Sequence, residues 1–279
     1  MLPDDVLLEI FHFHVNEARY DEDENGKKAM EAWQPLVHVC RRWRVVVFGS
    51  PRRLNLRLAC TANTRAREMV DVWPALPLVI QDRGYGRRGS VDNIVALLER
   101  RDLVHRISQI SLWHFSKLHL EVIGEAMQIP FPELTTLDLH CYGETQPVVP
   151  LSDSFLGGSA PQLRFLELGC IPYPGLPKLL LSATHLIRLH LERIPRSGYF
   201  SPEAMVACLS TLTSLEDLSL GFESPWPRPD LESRRLPPST RIVLPVLGHF
   251  WFKGVGEYLE HLVARIDALS TQIRGYNLL

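Results

Sequence analysis

Six segments of the chain share one spacing of apolar side chains: an aliphatic or aromatic residue at the first, fourth and sixth positions. They are Ile107, Ile110 and Leu112; Leu134, Leu137 and Leu139; Leu163, Leu166 and Leu168; Leu186, Leu189 and Leu191; Leu215, Leu218 and Leu220; and Leu247, Phe250 and Phe252. Their starts lie 27, 29, 23, 29 and 32 residues apart. The last two positions of each set alternate with other residues, which predicts short strands with one buried face. Between the strands the apolar residues switch to spacings of three and four. This predicts helices over Leu118 to Met127, Leu176 to Ala183, Pro202 to Leu212 and Val255 to Leu269. Val255, Leu259, Leu262, Val263 and Ile266 form the stripe of the last one. Ser201 suits a helix N-cap and Pro202 a first helical position.

Strand and helix alternating at this period predict an α/β fold in which parallel strands stack side by side with helices on the outer face. That is the pattern of an irregular leucine-rich-repeat solenoid. The residues between the buried rungs would face outward on the inner wall of such a stack. They are Ser111 and Trp113; Thr136, Asp138 and His140; Phe165 and Glu167; Arg188 and His190; Asp217 and Ser219; and His249, Trp251 and Lys253. From these, Trp113, Asp138, His140, Phe165, Glu167, Arg188, His190 and Trp251 are the candidate substrate-binding residues. The aromatics Trp113, Phe165 and Trp251 are expected to be exposed anchors. Cys141 and Cys170 fall at one offset after their strands, which predicts a shared structural slot. The stretches 143–160 and 223–240 are rich in Pro, Gly and Ser and predict long surface loops. After Leu269 the pattern decays, which predicts an irregular end where a further strand or a polar cap is needed to seal the stack.

The first forty-eight residues follow different rules. Leu2-Pro3 precedes Asp4 and Asp5, which suit a helix start. Val6, Leu7, Ile10 and Phe11 predict one apolar stripe. An acidic insertion, Asp21 to Lys28, follows. Leu36, Val39, Cys40 and Trp43 then recur at helical spacing. Two or three short helices are too little for a robust core, so this segment is expected to bury an apolar stripe against a partner.

Leu2-Pro3, Asp4-Asp5, Leu7-Leu8-Glu9-Ile10-Phe11 and Val39-Cys40-Arg41-Arg42-Trp43 together resemble an F-box; the acidic insertion departs from that pattern. The succession of this segment, SPRRLNLRL, WPALPLVI and irregular leucine-rich repeats is similar to the large F-box families of mushroom-forming fungi. The resemblance implies an F-box over residues 1–48 and a repeat domain over 49–279. It also implies docking on the Skp adaptor of a cullin–RING ubiquitin ligase, with the repeats holding a protein substrate. Leu2, Pro3, Leu7, Ile10, Phe11, Leu36, Val39, Cys40 and Trp43 would be the adaptor-facing and supporting set. An adaptor-binding scaffold outside ubiquitylation is the first alternative, and a nucleotide-dependent enzyme using the Gly84–Gly89 loop is the second and less favoured one.

Composition narrows the remaining classes. With 46% hydrophobic and 22% charged residues the chain can bury a sizeable core. No apolar run approaches the roughly 18 to 20 residues of a membrane span, and the acidic N-terminus does not read as a secretory leader. A cytoplasmic or nuclear location is expected. Residues 1–40 carry 3 basic and 9 acidic side chains, and residues 41–106 carry 14 and 6. Arginines spread over several elements are a weak argument for nucleic-acid binding. Five cysteines without a CxxC give no basis for a disulfide framework or a metal site. Gly84-Tyr85-Gly86-Arg87-Arg88-Gly89 matches a dinucleotide fingerprint, but the strand expected at Ile107 to Trp113 ends without a carboxylate for the ribose. It is expected to be a loop leading to Ser90 as N-cap of a helix over Val91 to Arg100. No GxSxG, HExxH or P-loop occurs, so neither catalysis nor a cofactor is expected. His140, His190 and His249 have no partner at a recognisable spacing and are expected to be plain surface residues.

Overall fold

A computed structural model describes residues 2–17, 31–61, 70–82, 91–141, 149–224, 241–267 and 272–275. The acidic insertion, the Gly84–Gly89 loop, Ser90 and most of the 223–240 stretch lie outside them. The fold is mixed α/β with a mostly parallel sheet. It divides into two compact units, 1–109 and 110–279.

The first unit begins with helices α1 (Asp4–Glu17), α2 (Gln34–Val39) and α3 (Arg41–Gly49). Strands β1 (Leu58–Thr61) and β2 (Leu78–Asp82) follow, paired in parallel with Leu58 beside Leu78. Then come helix α4 (Val91–Leu98) and the start of β3 (Ile107–Phe115). The sequence places a boundary near residue 48, whereas the helices and the first strands share one unit. Trp33 shows why. It is fully buried, its indole Nε1 donates to the Arg57 carbonyl at 3.0 Å, and its ring meets Phe48 and Trp73 edge-on at 5.9 and 5.2 Å. One large aromatic thus joins segments on both sides of that point.

Two helical expectations change here. The stripe of α1 is not Val6, Leu7, Ile10 and Phe11. The buried side is Leu7, Leu8, Phe11 and Val15, while Val6, Ile10 and Phe13 are exposed. A helix this apolar has two greasy faces, and only one of them packs within its own unit. The spacing from Leu36 to Trp43 crosses a break at Cys40, whose extended backbone (φ −159°, ψ 168°) separates α2 from α3.

In the second unit the recurring 1-4-6 spacing becomes a ladder. Strands β4 (Thr136–Cys141), β5 (Phe165–Gly169), β6 (Arg188–Ile194), β7 (Asp217–Phe222) and β9 (His249–Lys253) pair in that order, all parallel. Along the rungs the register is unbroken: Leu137, Leu166, Leu189, Leu218 and Phe250 are successive neighbours, as are Leu139, Leu168, Leu191, Leu220 and Phe252, and the pairing of β6 with β7 shifts only beyond them, between Leu191 and Ile194. All ten are buried. The first rung of each set closes a turn. The amides of Leu134, Leu163, Leu186, Leu215 and Leu247 donate to the carbonyls of Phe131, Ala160, Ala183, Leu212 and Leu244. The carbonyl one residue later then accepts two amides from the next strand, as Thr135 does from Arg164 and Phe165. Buried backbone groups are satisfied by repetition.

Helices α5 (Lys117–Ala126), α6 (Leu176–Leu180), α7 (Pro202–Leu209) and α8 (Gly256–Val263) lie between the strands in sequence, and α6, α7 and α8 pack in succession. Ser201 caps α7 as expected, accepting from the Ala204 amide at 3.2 Å. The last helix is shorter than its pattern suggests. It stops at Val263, and Ile266–Asp267 form β10 beside β8 (Ile242–Val243). Ile266 fits the helical stripe, but the carbonyl of Arg265 accepts the Ile242 amide instead. The 143–160 stretch is not all surface either: Leu151, Phe155, Leu156 and Ala160 are buried. Nor is the chain end irregular throughout. Gln272–Gly275 form β11, which pairs with β9 and extends the ladder by one strand.

Three of the strands, β3, β5 and β6, carry at or just past their ends a local feature that the residue types conceal. His114, Cys170 and Arg193 have positive φ of 58°, 59° and 48°. All three stand seven residues after a first rung. Cys141 shares that offset but closes β4 with its side chain buried, so the slot common to Cys141 and Cys170 is one of position, not of conformation.

Removing a rung should be costly. Leu137→Ala or Leu166→Ala is expected to destabilise the chain by about 2–5 kcal/mol, read from denaturant unfolding, because neither site can collapse around the void. A melting shift of a degree or less contradicts this register.

Candidate functional site

The register that stacks the leucines also stacks the polar residues between them. Asp138 and His140 stand two apart on β4, so both project from the sheet face opposite the rungs. Glu167 of β5 is the register partner of Asp138, and Gly169 is the partner of His140. Gly169 leaves that place empty, so the imidazole swings across it. A β-carbon at 169 would collide with His140 Nδ1. This diagonal reach brings His140 Nε2 to 3.0 Å from Glu167 Oε1 and 3.2 Å from Asp138 Oδ1.

Strand β3 supplies the rest. Ser111 Oγ donates to Asp138 Oδ2 at 2.8 Å and Trp113 Nε1 donates to the same oxygen at 2.6 Å. The Trp113 ring lies 4.5 Å from the His140 ring at an angle of 31°. The side chains of Asp138 and His140 are each 17% exposed and that of Glu167 is 27% exposed. Their ligand-type atoms all lie within 4.8 Å of one another, close enough to converge on a single ion.

Two opposing forces act on His140. Burial disfavours the imidazolium, while the hydrogen bonds and charges of Asp138 and Glu167 favour it. The carboxylates win, and the group is pushed up to about 9.

Farther along the same face, His190 Nε2 is 3.1 Å and Arg188 Nε 3.3 Å from the Asp217 carboxylate. The Arg188 guanidinium also covers the Phe165 ring at 5.7 Å from its centroid. The Trp251 ring lies against Gly221, where a β-carbon would come within 3.1 Å of it. Trp113, Phe165 and Trp251 are therefore half-buried among their neighbours, not free anchors. Ser219, expected to face outward, is buried between the register positions of His190 and Trp251. His140 and His190 are not plain surface residues: each faces a carboxylate one repeat away. A linear search for short spacings passes over such partners, and the repeat length of 27 to 29 residues was the signal available.

The first unit sorts the other set. Leu7, Phe11 and Leu36 are buried and can only support a docking face. Trp43 is half-buried with its ring 4.7 Å from Phe11. Leu2, Pro3, Ile10, Val39 and Cys40 are exposed, and so are Val6, Phe13 and Val45, which the motif did not single out. The Arg42 guanidinium holds the start of α1, donating to Asp4 Oδ1 at 2.6 Å and to the Leu2 carbonyl. Among the described residues no helix is long and apolar enough to cross a membrane. Comparison with protein-family models, with curated proteins and with solved structures gives no match.

The imidazolium can be checked directly. With a chelator present, the His140 resonances are expected to titrate near pH 9, and in Glu167→Gln nearer the ordinary 6.5. A folded value above the unfolded one adds stability that is complete below about pH 6.5 and is lost as pH rises through about 9. A His140 midpoint at or below 6.5 in the wild-type chain contradicts this geometry.

Proposed function

We propose that the chain is a substrate-receptor subunit of a Skp–cullin–F-box ubiquitin ligase, acting in the cytoplasm or nucleus. The observation that carries this is the second apolar face of the N-terminal helices. Leu2, Val6, Ile10, Phe13, Val39 and Val45 are all 42% or more exposed. An unpaired apolar patch on a short helical segment favours a protein partner. The residues that resemble an F-box divide sensibly on this view: Leu7, Phe11 and Leu36 hold the helices together, and Leu2, Pro3, Ile10 and Val39 meet the Skp-type adaptor. Through the adaptor the chain would join the cullin and RING subunits.

The parallel strands of the second unit would serve as a leucine-rich-repeat wall. On that wall Asp138, His140, Glu167, Arg188, His190 and Trp251 offer alternating acids, bases and rings to a protein substrate. The receptor performs no bond chemistry of its own. It raises the effective concentration of substrate lysines near the ubiquitin-charged subunit.

Because Ile10 and Val39 are exposed, their exchange for aspartate spares the fold. Ile10→Asp with Val39→Asp is expected to weaken adaptor binding at least about 100-fold, with the melting temperature within a few degrees of wild type. Unchanged binding in a pull-down with the adaptor sinks the reading. Recovery of the adaptor without cullin, and without ubiquitin transfer to a bound protein, favours the scaffold alternative.

A further inference from the structure

We propose that Asp138, His140 and Glu167 form a binding site for a divalent first-row transition-metal ion, with zinc as the ion of best fit. The inference stands on the side-chain cluster alone and does not depend on the ubiquitin-ligase reading.

The donor set comes first. One imidazole nitrogen and two carboxylate oxygens are ordinary ligands of zinc, and three protein donors leave one position of a tetrahedron for water or an incoming group. The spacing is right as well. Donors at about 2.0–2.1 Å from a tetrahedral ion stand about 3.3 Å from one another. His140 Nε2 is already 3.0 Å from Glu167 Oε1 and 3.2 Å from Asp138 Oδ1.

A second observation is independent of the spacing. The two oxygens of Asp138 are treated differently. Oδ2 takes the hydrogen bonds of Ser111 and Trp113. Oδ1 is shut off from solvent and accepts no well-directed hydrogen bond among the described residues. Its nearest cation is His140 Nε2, at ion-pair distance only. An ion set between the three donors would replace that ion-pair contact with a direct bond to Oδ1.

The surroundings fix the ligands in advance. Ser111 and Trp113 aim the carboxylate from its far oxygen, as outer partners of metal ligands do. The Trp113 ring on one side and bare Gly169 on the other hold the imidazole plane. Without metal, the Nε2 proton sits between the two carboxylates and keeps them from repelling each other. Metal binding exchanges that proton for the ion: the N–H bond breaks, the nitrogen lone pair goes to the metal, and the proton leaves to solvent.

The test is titration calorimetry of the full chain, stripped with chelator, against zinc chloride at neutral pH. About one ion per chain with micromolar or tighter affinity is expected. Glu167→Gln and His140→Gln should each weaken it at least about 100-fold, and Ser111→Ala about 10-fold. Cobalt substitution should give the visible absorption of a tetrahedral site, and zinc-edge absorption should show nitrogen and oxygen neighbours only. No saturable binding by the wild-type chain overturns the proposal. So does affinity unchanged in both ligand variants, or a sulfur neighbour from one of the cysteines. If either variant fails to fold by circular dichroism, the wild-type stoichiometry and the metal-edge spectrum still decide.

Discussion

Along their buried rungs the parallel strands pair in unbroken register, and that constraint governs the second unit. Like stands beside like: leucine on leucine along the buried face, and on the other face whatever each repeat carries at the same offset. The apolar consequence is energetic. Each buried rung contributes roughly 1.5–3 kcal/mol of transfer free energy, largely offset by ordering the chain. No single repeat can bury its rungs alone, so each depends on its neighbours, and β11 continues the arrangement beyond β9.

The polar consequence is chemical. Asp138 of one repeat and Glu167 of the next would repel each other across the register, and His140 between them turns that repulsion into attraction. This needs a gap in the row, which Gly169 supplies. Gly221 plays the same part for Trp251. Glycine at these positions answers to a large neighbour on the next strand, since neither has a positive φ. At the strand ends where the backbone does turn left-handed, His114, Cys170 and Arg193, the chain uses ordinary side chains and carries the strain.

The first unit works by a different principle. Trp33 fills its interior, and α1 presents Leu7, Leu8, Phe11 and Val15 inward. More apolar residues remain than this interior can take, so Val6, Ile10 and Phe13 stay on the outside of the same helix. That surplus makes the segment a candidate for docking, and Cys40 shapes it by breaking the run that would otherwise join α2 to α3.

The rungs were legible in the sequence because period-two alternation and a repeat near 28 residues are linear properties, and the ladder followed from them. The helix starts were legible too, through Ser201 and Pro202. The sequence alone did not show that α1 has an inner and an outer apolar face, because hydrophobicity does not say which side finds a partner. Nor did it show that Ile266 leaves the helical stripe for β8, because one isoleucine serves either period. The meeting of His140 with Glu167, 27 residues away, was decided by the fold. It depends on strand register, on the space above Gly169 and on the hold of Ser111 and Trp113 upon Asp138, and these exist only once the strands lie side by side.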